Sequence, residues 1–177
     1  MIIGIISDNS LLPLTQDDFY SGNGVFGSER DLELVVTSGP SGAVFTAGVN
    51  NGDLSNSSPY QGSAFTVYQL DGIDASSQIK ENGLGNFDLT FSGTANGLVL
   101  VGFSDVTTIA ECFIYTASGR ATFVLSIPGN FIEHEYVIEY SSFSGNADFS
   151  DVGAIEIKFN GDQDVDVQFS FFGVVRV

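Results

Sequence analysis

His134 is the only histidine of this chain and Cys112 the only cysteine, so a catalytic triad, an imidazole ligand or a thiolate ligand would have to use one of them. A serine nucleophile of the hydrolase type needs a strained strand-to-helix elbow, and no Gly-x-Ser-x-Gly precedes a helical pattern. No catalytic residue is expected. His134 sits in Glu133-His134-Glu135-Tyr136-Val137-Ile138-Glu139-Tyr140. Strand alternation puts His134, Tyr136, Ile138 and Tyr140 on one face and Glu133, Glu135 and Glu139 on the other. The plain reading of His134 is an ordinary strand histidine. The sharper one makes His134, Tyr136 and Tyr140 a shallow ligand-binding face, because tyrosine offers an apolar ring with a polar tip.

The 22 acidic residues allow two further chemistries. Glycoside hydrolysis needs two carboxyl groups roughly 5–10 Å apart in a cleft, an arrangement that composition does not specify. A calcium ion needs oxygen ligands, and Asp162-Gln163-Asp164-Val165-Asp166 has the alternating acids that open a calcium loop. An EF-hand is excluded, since Val167 stands where its glycine belongs and Gly173 where its glutamate belongs. On a strand, Asp162, Asp164 and Asp166 instead line one face as a solvated column. A surface calcium site would draw on these and on loop acids such as Asp148 and Asp151, with Asp8, Asp17 and Asp18 as further candidates.

The whole composition narrows the partners. The chain has 177 residues, Lys+Arg 5 against Asp+Glu 22, and a formal net charge of -17. Nucleic-acid binding needs clustered Lys and Arg on phosphates, and that partner is excluded. No apolar run approaches the ~20 residues of a membrane-spanning helix. Hydrophobic residues make up 43%, too many for a disordered acidic tail. One cysteine gives no intrachain disulfide framework. Few lysines, many Ser, Asn, Gly and Asp, and strong acidity point to an exported protein, with its signal peptide removed.

Elements that would position these residues are strands. Period-2 alternation recurs in Ala154-Ile155-Glu156-Ile157-Lys158-Phe159, in Val165-Asp166-Val167-Gln168-Phe169-Ser170-Phe171, in Phe87-Asp88-Leu89-Thr90-Phe91 and in 120–127. Each would bury one face and wet the other. Val165, Val167, Phe169 and Phe171 should therefore lie in the core, with Asp166 and Gln168 in water. Further strands are expected at 31–37, 43–49, 64–70, 97–103, 111–117 and 133–140. Asn-Gly pairs at 23–24, 51–52, 82–83, 96–97 and 160–161 suit type I′ turns, whose two central residues have positive φ. Asn160-Gly161 predicts a hairpin, and Ser118-Gly119 a second. About ten short strands without connecting helices give one domain over 1–177, all-β, an antiparallel two-sheet β-sandwich of jelly-roll type. Ile2-Ile3-Gly4-Ile5-Ile6 is a strongly β-prone start. It belongs to the same sandwich, or Ile2, Ile3, Ile5 and Ile6 pair with a neighbouring copy's sheet edge and build filaments.

Three stretches resemble exported bacterial proteins that carry a PEP-CTERM sorting tail: Gly27-Ser28-Glu29-Arg30-Asp31-Leu32-Glu33-Leu34 with Thr37-Ser38-Gly39-Pro40 and Asn50-Asn51-Gly52-Asp53-Leu54-Ser55; Leu89-Thr90-Phe91-Ser92-Gly93-Thr94-Ala95-Asn96-Gly97-Leu98; and Ala147-Asp148-Phe149-Ser150-Asp151-Val152-Gly153-Ala154-Ile155-Glu156-Ile157. The third also resembles the closing hairpin of galactose-binding-like jelly rolls in carbohydrate-binding modules. The resemblance implies secretion and association with a cell surface or extracellular matrix, and supplies no site residues. The leading expectation is thus a structural, self-associating surface protein. A carbohydrate-binding module using the tyrosine-bearing face is the alternative, and a secreted glycan-active enzyme the third reading.

Overall fold

Strand after strand of this chain shows apolar residues at every second position, and the computed structural model turns each such row into a shared interior. It describes the chain except residues 23–25, 51, 52, 60, 75, 77, 162 and 163, and except the side chains of Phe26, Asn50 and Phe171. The strands are β1 (Ile2–Ile6), β2 (Leu14–Ser21), β3 (Glu29–Ser38), β4 (Val44–Asn50), β5 (Asp53–Ser57), β6 (Ser63–Leu70), β7 (Gly97–Ser104), β8 (Thr108–Thr116), β9 (Gly119–Ile127), β10 (His134–Glu139), β11 (Ser144–Gly145), β12 (Val152–Gly161) and β13 (Asp166–Val175). They form a six-stranded sheet, β1-β4-β5-β13-β7-β10, and a seven-stranded one, β11-β9-β8-β12-β6-β3-β2. All the ladders between named strands are antiparallel. The architecture is the expected two-sheet sandwich of jelly-roll type. No helix among the described residues is long and apolar enough to cross a membrane.

The core lies between the two sheets. Leu34, Phe45, Leu100, Ile114 and Ile157 are fully buried there. Each contributes roughly 1.5–3 kcal/mol by leaving water. Phe159 of the larger sheet stacks on Phe169 of the smaller, with ring centroids 5.1 Å apart, and pins the two layers together. Val165, Val167 and Phe169 are buried as expected, while Asp166 is exposed and Gln168 half-buried. The side chain of Phe171 lies outside the described residues, beyond a register shift between Phe169 and Phe171.

The Ser118-Gly119 turn is present, with Thr116 opposite Gly119 at the tip of the β8–β9 hairpin. The expected Asn160-Gly161 hairpin is not. Asn160 and Gly161 are still paired inside the larger sheet, with Phe65 and Ala64, and β13 belongs to the smaller sheet. The chain arches across the core between β12 and β13. Both runs bury alternate residues in either geometry, so the pattern is the same for an arch and for a hairpin. The expected strand 87–91 is also replaced. Phe87 makes one bridge, to Val152. Then the Asp88 carboxylate accepts the amides of Thr90 (2.8 Å) and Ser92 (2.7 Å) and bends the chain. Leu89 still plugs the core at 1% exposure, which explains the apolar alternation without a strand.

Candidate functional site: a cleft on the smaller sheet

Alternation also decides what the smaller sheet shows to solvent. Ile3 and Ile5 of β1, Phe45 and Ala47 of β4, Leu54 of β5 and Phe169 of β13 point inward, so their neighbours point out. Register then aligns the outward residues in rows across the strands. One row is Thr46, Ser57 and Asp166; the next is Gly48, Ser55, Gln168 and Phe103. Gly48 lacks a side chain in the second row, which lowers the floor beside Ser55.

A loop supplies the wall. Between β9 and β10 the amides of Asn130 and Phe131 both donate to the Ser104 carbonyl, at 3.1 and 3.0 Å, and tie the loop to the end of β7. Phe131 has φ 55 and is 70% exposed. A left-handed backbone on a bulky residue costs on the order of 1–3 kcal/mol, and here it holds a phenyl ring in solvent rather than in the core. Thr46, Ser55, Ser57, Phe103, Phe131 and Gln168, with Asp166, line a cleft of about 400 Å³. Gln168 donates through Nε2 to Asp53 Oδ2 at 3.0 Å, which fixes its amide across the sheet. The cleft therefore offers hydroxyls, a carboxamide, a carboxylate and two phenyl rings. That set can hold a ligand carrying both hydroxyl groups and apolar C–H faces. The cleft's lining residues include no His, Cys or Lys.

The outer face of the larger sheet differs. Three of its rings lie against the protein's own cations: the Arg120 guanidinium lies 5.2 Å from the Phe113 centroid and 5.9 Å from that of Tyr115, and Lys158 Nζ lies 4.4 Å from that of Phe65. Such cation–π contacts occupy the ring faces that a ligand would need.

His134, Tyr136 and Ile138, singled out from the sequence, do share one face of β10, but that face turns inward. Tyr136 is half-buried, its ring 6.4 Å from Phe169 and its hydroxyl without a hydrogen-bond partner among the described residues. Tyr140 stacks on Phe149 at 4.2 Å and donates to the Leu89 carbonyl at 2.8 Å. Burial pushes its phenol up to about 12. An open tyrosine platform is not what these residues form; they brace the rim. His134 Nε2 meets Asn130 Nδ2 at 3.1 Å, at the root of the Phe131 loop.

Asp162 lies outside the described residues. Asp164 and Asp166 are exposed, and Asp166 contributes to the cleft. Asp148 accepts the amide and hydroxyl of Ser150 in a different loop, and these bonds hold its carboxyl below the usual range. Among the described residues, Asp148, Asp151, Asp164 and Asp166 do not converge as a calcium ligand set; the acids that converge are Glu29, Asp31 and Asp74. Ile3 and Ile5 pack in this chain's own core, and β1 pairs with β4 of the same chain. This is the same-sandwich placement of the segment, and it leaves Ile2 and Ile6 facing outward. Cys112 is fully buried, its thiol raised to about 12, so it is inert at neutral pH.

No protein-family model and no curated protein matches this chain. Solved structures of similar fold include several carbohydrate-binding modules. A family 30 carbohydrate-binding module from a cellulosomal cellulase of Clostridium thermocellum is 13% identical, with TM-score 0.48, over 80% of this chain and 90% of its own. A family 11 module from cellulosomal Lic26A-Cel5E of the same organism is 16% identical, with TM-score 0.45, over 100% of this chain and 96% of its own. A family 11 module solved with a β-1,3-1,4-mixed-linked tetrasaccharide is 15% identical, with TM-score 0.44, over 98% and 96%.

Proposed function

We propose that this protein is a non-catalytic polysaccharide-binding module whose ligand lies across the outer face of the smaller sheet. The observation that carries the reading is Phe131, a strained and 70% exposed ring at the wall of a cleft floored by hydroxyl and amide side chains. A sugar ring presents C–H groups on one face and hydroxyls round its edge. Phe131 and Phe103 would cover the first, and Ser55, Ser57, Thr46 and Gln168 would bond to the second. Asp53 and Asp166 favour a neutral glycan over an anionic one, by like-charge repulsion. Location outside the cell belongs to the same proposal, supported by the acidic, lysine-poor composition.

Affinity electrophoresis of the full chain through gels containing soluble neutral polysaccharides, mixed-linked β-1,3-1,4-glucan first, tests it. Removing a central aromatic anchor costs about 2 kcal/mol or more, roughly thirtyfold in affinity. Phe131→Ala should lose retardation to that extent while unfolding at the same urea concentration as the parent. Equal retardation of Phe131→Ala and the parent, or no retardation by any glycan, overturns the proposal.

A further inference from the structure

On the other sheet, the outer face contains acids that no solvent reaches. Glu29 and Asp31 are two apart on β3 and share the outward face opposite Leu32 and Leu34, yet they are 0% and 1% exposed. The segment after β6 covers them. Asp71 is also 0% exposed, and the Asp74 amide donates to Glu29 Oε1 at 2.8 Å. The carboxylate oxygens of Glu29, Asp31 and Asp74 lie within 4.8 Å of one another. Both oxygens of Asp31 lack a hydrogen-bond partner among the described residues, as does Oδ1 of Asp71, while Asp71 Oδ2 accepts the Lys80 amide at 2.5 Å. Burying an ionised carboxylate without a partner is strongly unfavourable. The charges acting most strongly on Asp31 are Asp71, Glu29 and Asp74, all acidic. Two ionised carboxylates cannot donate to each other, so Asp31 and Asp71 can be neighbours only with a cation or a proton between them.

We propose that Glu29, Asp31 and Asp74, with Asp71 beside them, form a calcium site that fastens the segment after β6 onto the larger sheet. The donor set is all oxygen, as a hard cation requires. Calcium–oxygen distances of about 2.3–2.6 Å place ligands on opposite sides of one ion up to roughly 5 Å apart, and one oxygen from each of the three carboxylates, all within 4.8 Å of one another, falls inside that span. Magnesium demands shorter, near-octahedral geometry and keeps its waters, which a pocket this buried does not admit.

The test uses the full chain freed of metal with EDTA. Terbium, an oxygen-seeking calcium mimic, should bind and emit on tyrosine excitation, because Tyr68 feels the Asp31 charge. Calcium should displace it, with one ion bound per chain by titration calorimetry. Asp31→Asn should weaken calcium binding roughly tenfold or more, as loss of a ligand charge does, and Asp148→Asn should not. Because Asp31→Asn replaces an acid crowded by other acids with a neutral amide, it should melt no lower than the parent in EDTA. In calcium it should melt lower. Absence of saturable calcium binding to the parent, or equal binding by Asp31→Asn, overturns the site and leaves a shared proton in its place.

Discussion

Phe169→Ala lowers the free energy of unfolding by about 3–5 kcal/mol, the range for truncating a core phenylalanine. Phe169 is 1% exposed and stacks on Phe159 across the sandwich. Gly102 faces it on β7, where an added Cβ would fall 2.6 Å from the Phe169 ring. The ring therefore fills the space that the glycine leaves, and its removal opens a cavity that neither sheet can close alone. Its strand neighbour Gln168 lies on the opposite face, so Gln168→Ala costs under about 0.5 kcal/mol. Urea unfolding of the two variants checks this. Equal losses would mean that β13 presents its faces the other way round, and the cleft would fall with that register.

Gly83→Ala is expected to cost about 3 kcal/mol, at the upper end for overpacking. A Cβ on Gly83 would stand 1.5 Å from the Asp71 carbonyl oxygen and 2.7 Å from its carbon. The obstacle is backbone, which cannot swing aside as a side chain does. One of the two crossing segments must move, and Asp71 moves with it. Gly85 supplies the contrast: it has φ 66, but a Cβ added there would meet nothing within 4 Å. Gly85→Ala therefore costs only the left-handed penalty of about 1–2 kcal/mol. Matched urea midpoints for the two variants would show that the chain has more room at the Gly83 crossing than these distances allow.

Fold class was legible because the physics of a two-layer sandwich writes itself as alternation. β12 carries it from Ile155 to Phe159, and β13 as far as Phe169. Three strands did not announce themselves, the two-residue β11 among them. β2 is an edge strand with exposed residues from Thr15 onward, and β5, Asp53–Ser57, is polar throughout except for Leu54. Yet β5 floors the cleft, and that polarity was the signal: a strand with a buried face and hydroxyls outward is a surface built to bond. Phe131 carried a weaker trace, an aromatic just after Pro128-Gly129-Asn130, where a turn sets it on the surface. The tyrosine face misled because alternation sorts residues into two faces without saying which one looks inward. Glu29, Asp31, Asp71 and Asp74 are spread over two segments brought together only by β3–β6 pairing, so no local spacing reveals them.

Binding of glycan to the outer face of the smaller sheet is tested most directly by backbone amide shifts of the ¹⁵N-labelled chain, followed as mixed-linked β-glucan oligosaccharide is added. The largest changes should fall on Thr46, Ser55, Ser57, Phe103, Phe131 and Gln168, with Phe113, Tyr115 and Glu156 on the larger sheet unmoved. Saturable changes centred on Phe113, Tyr115 and Glu156 instead, with the Phe131 loop silent, would contradict it.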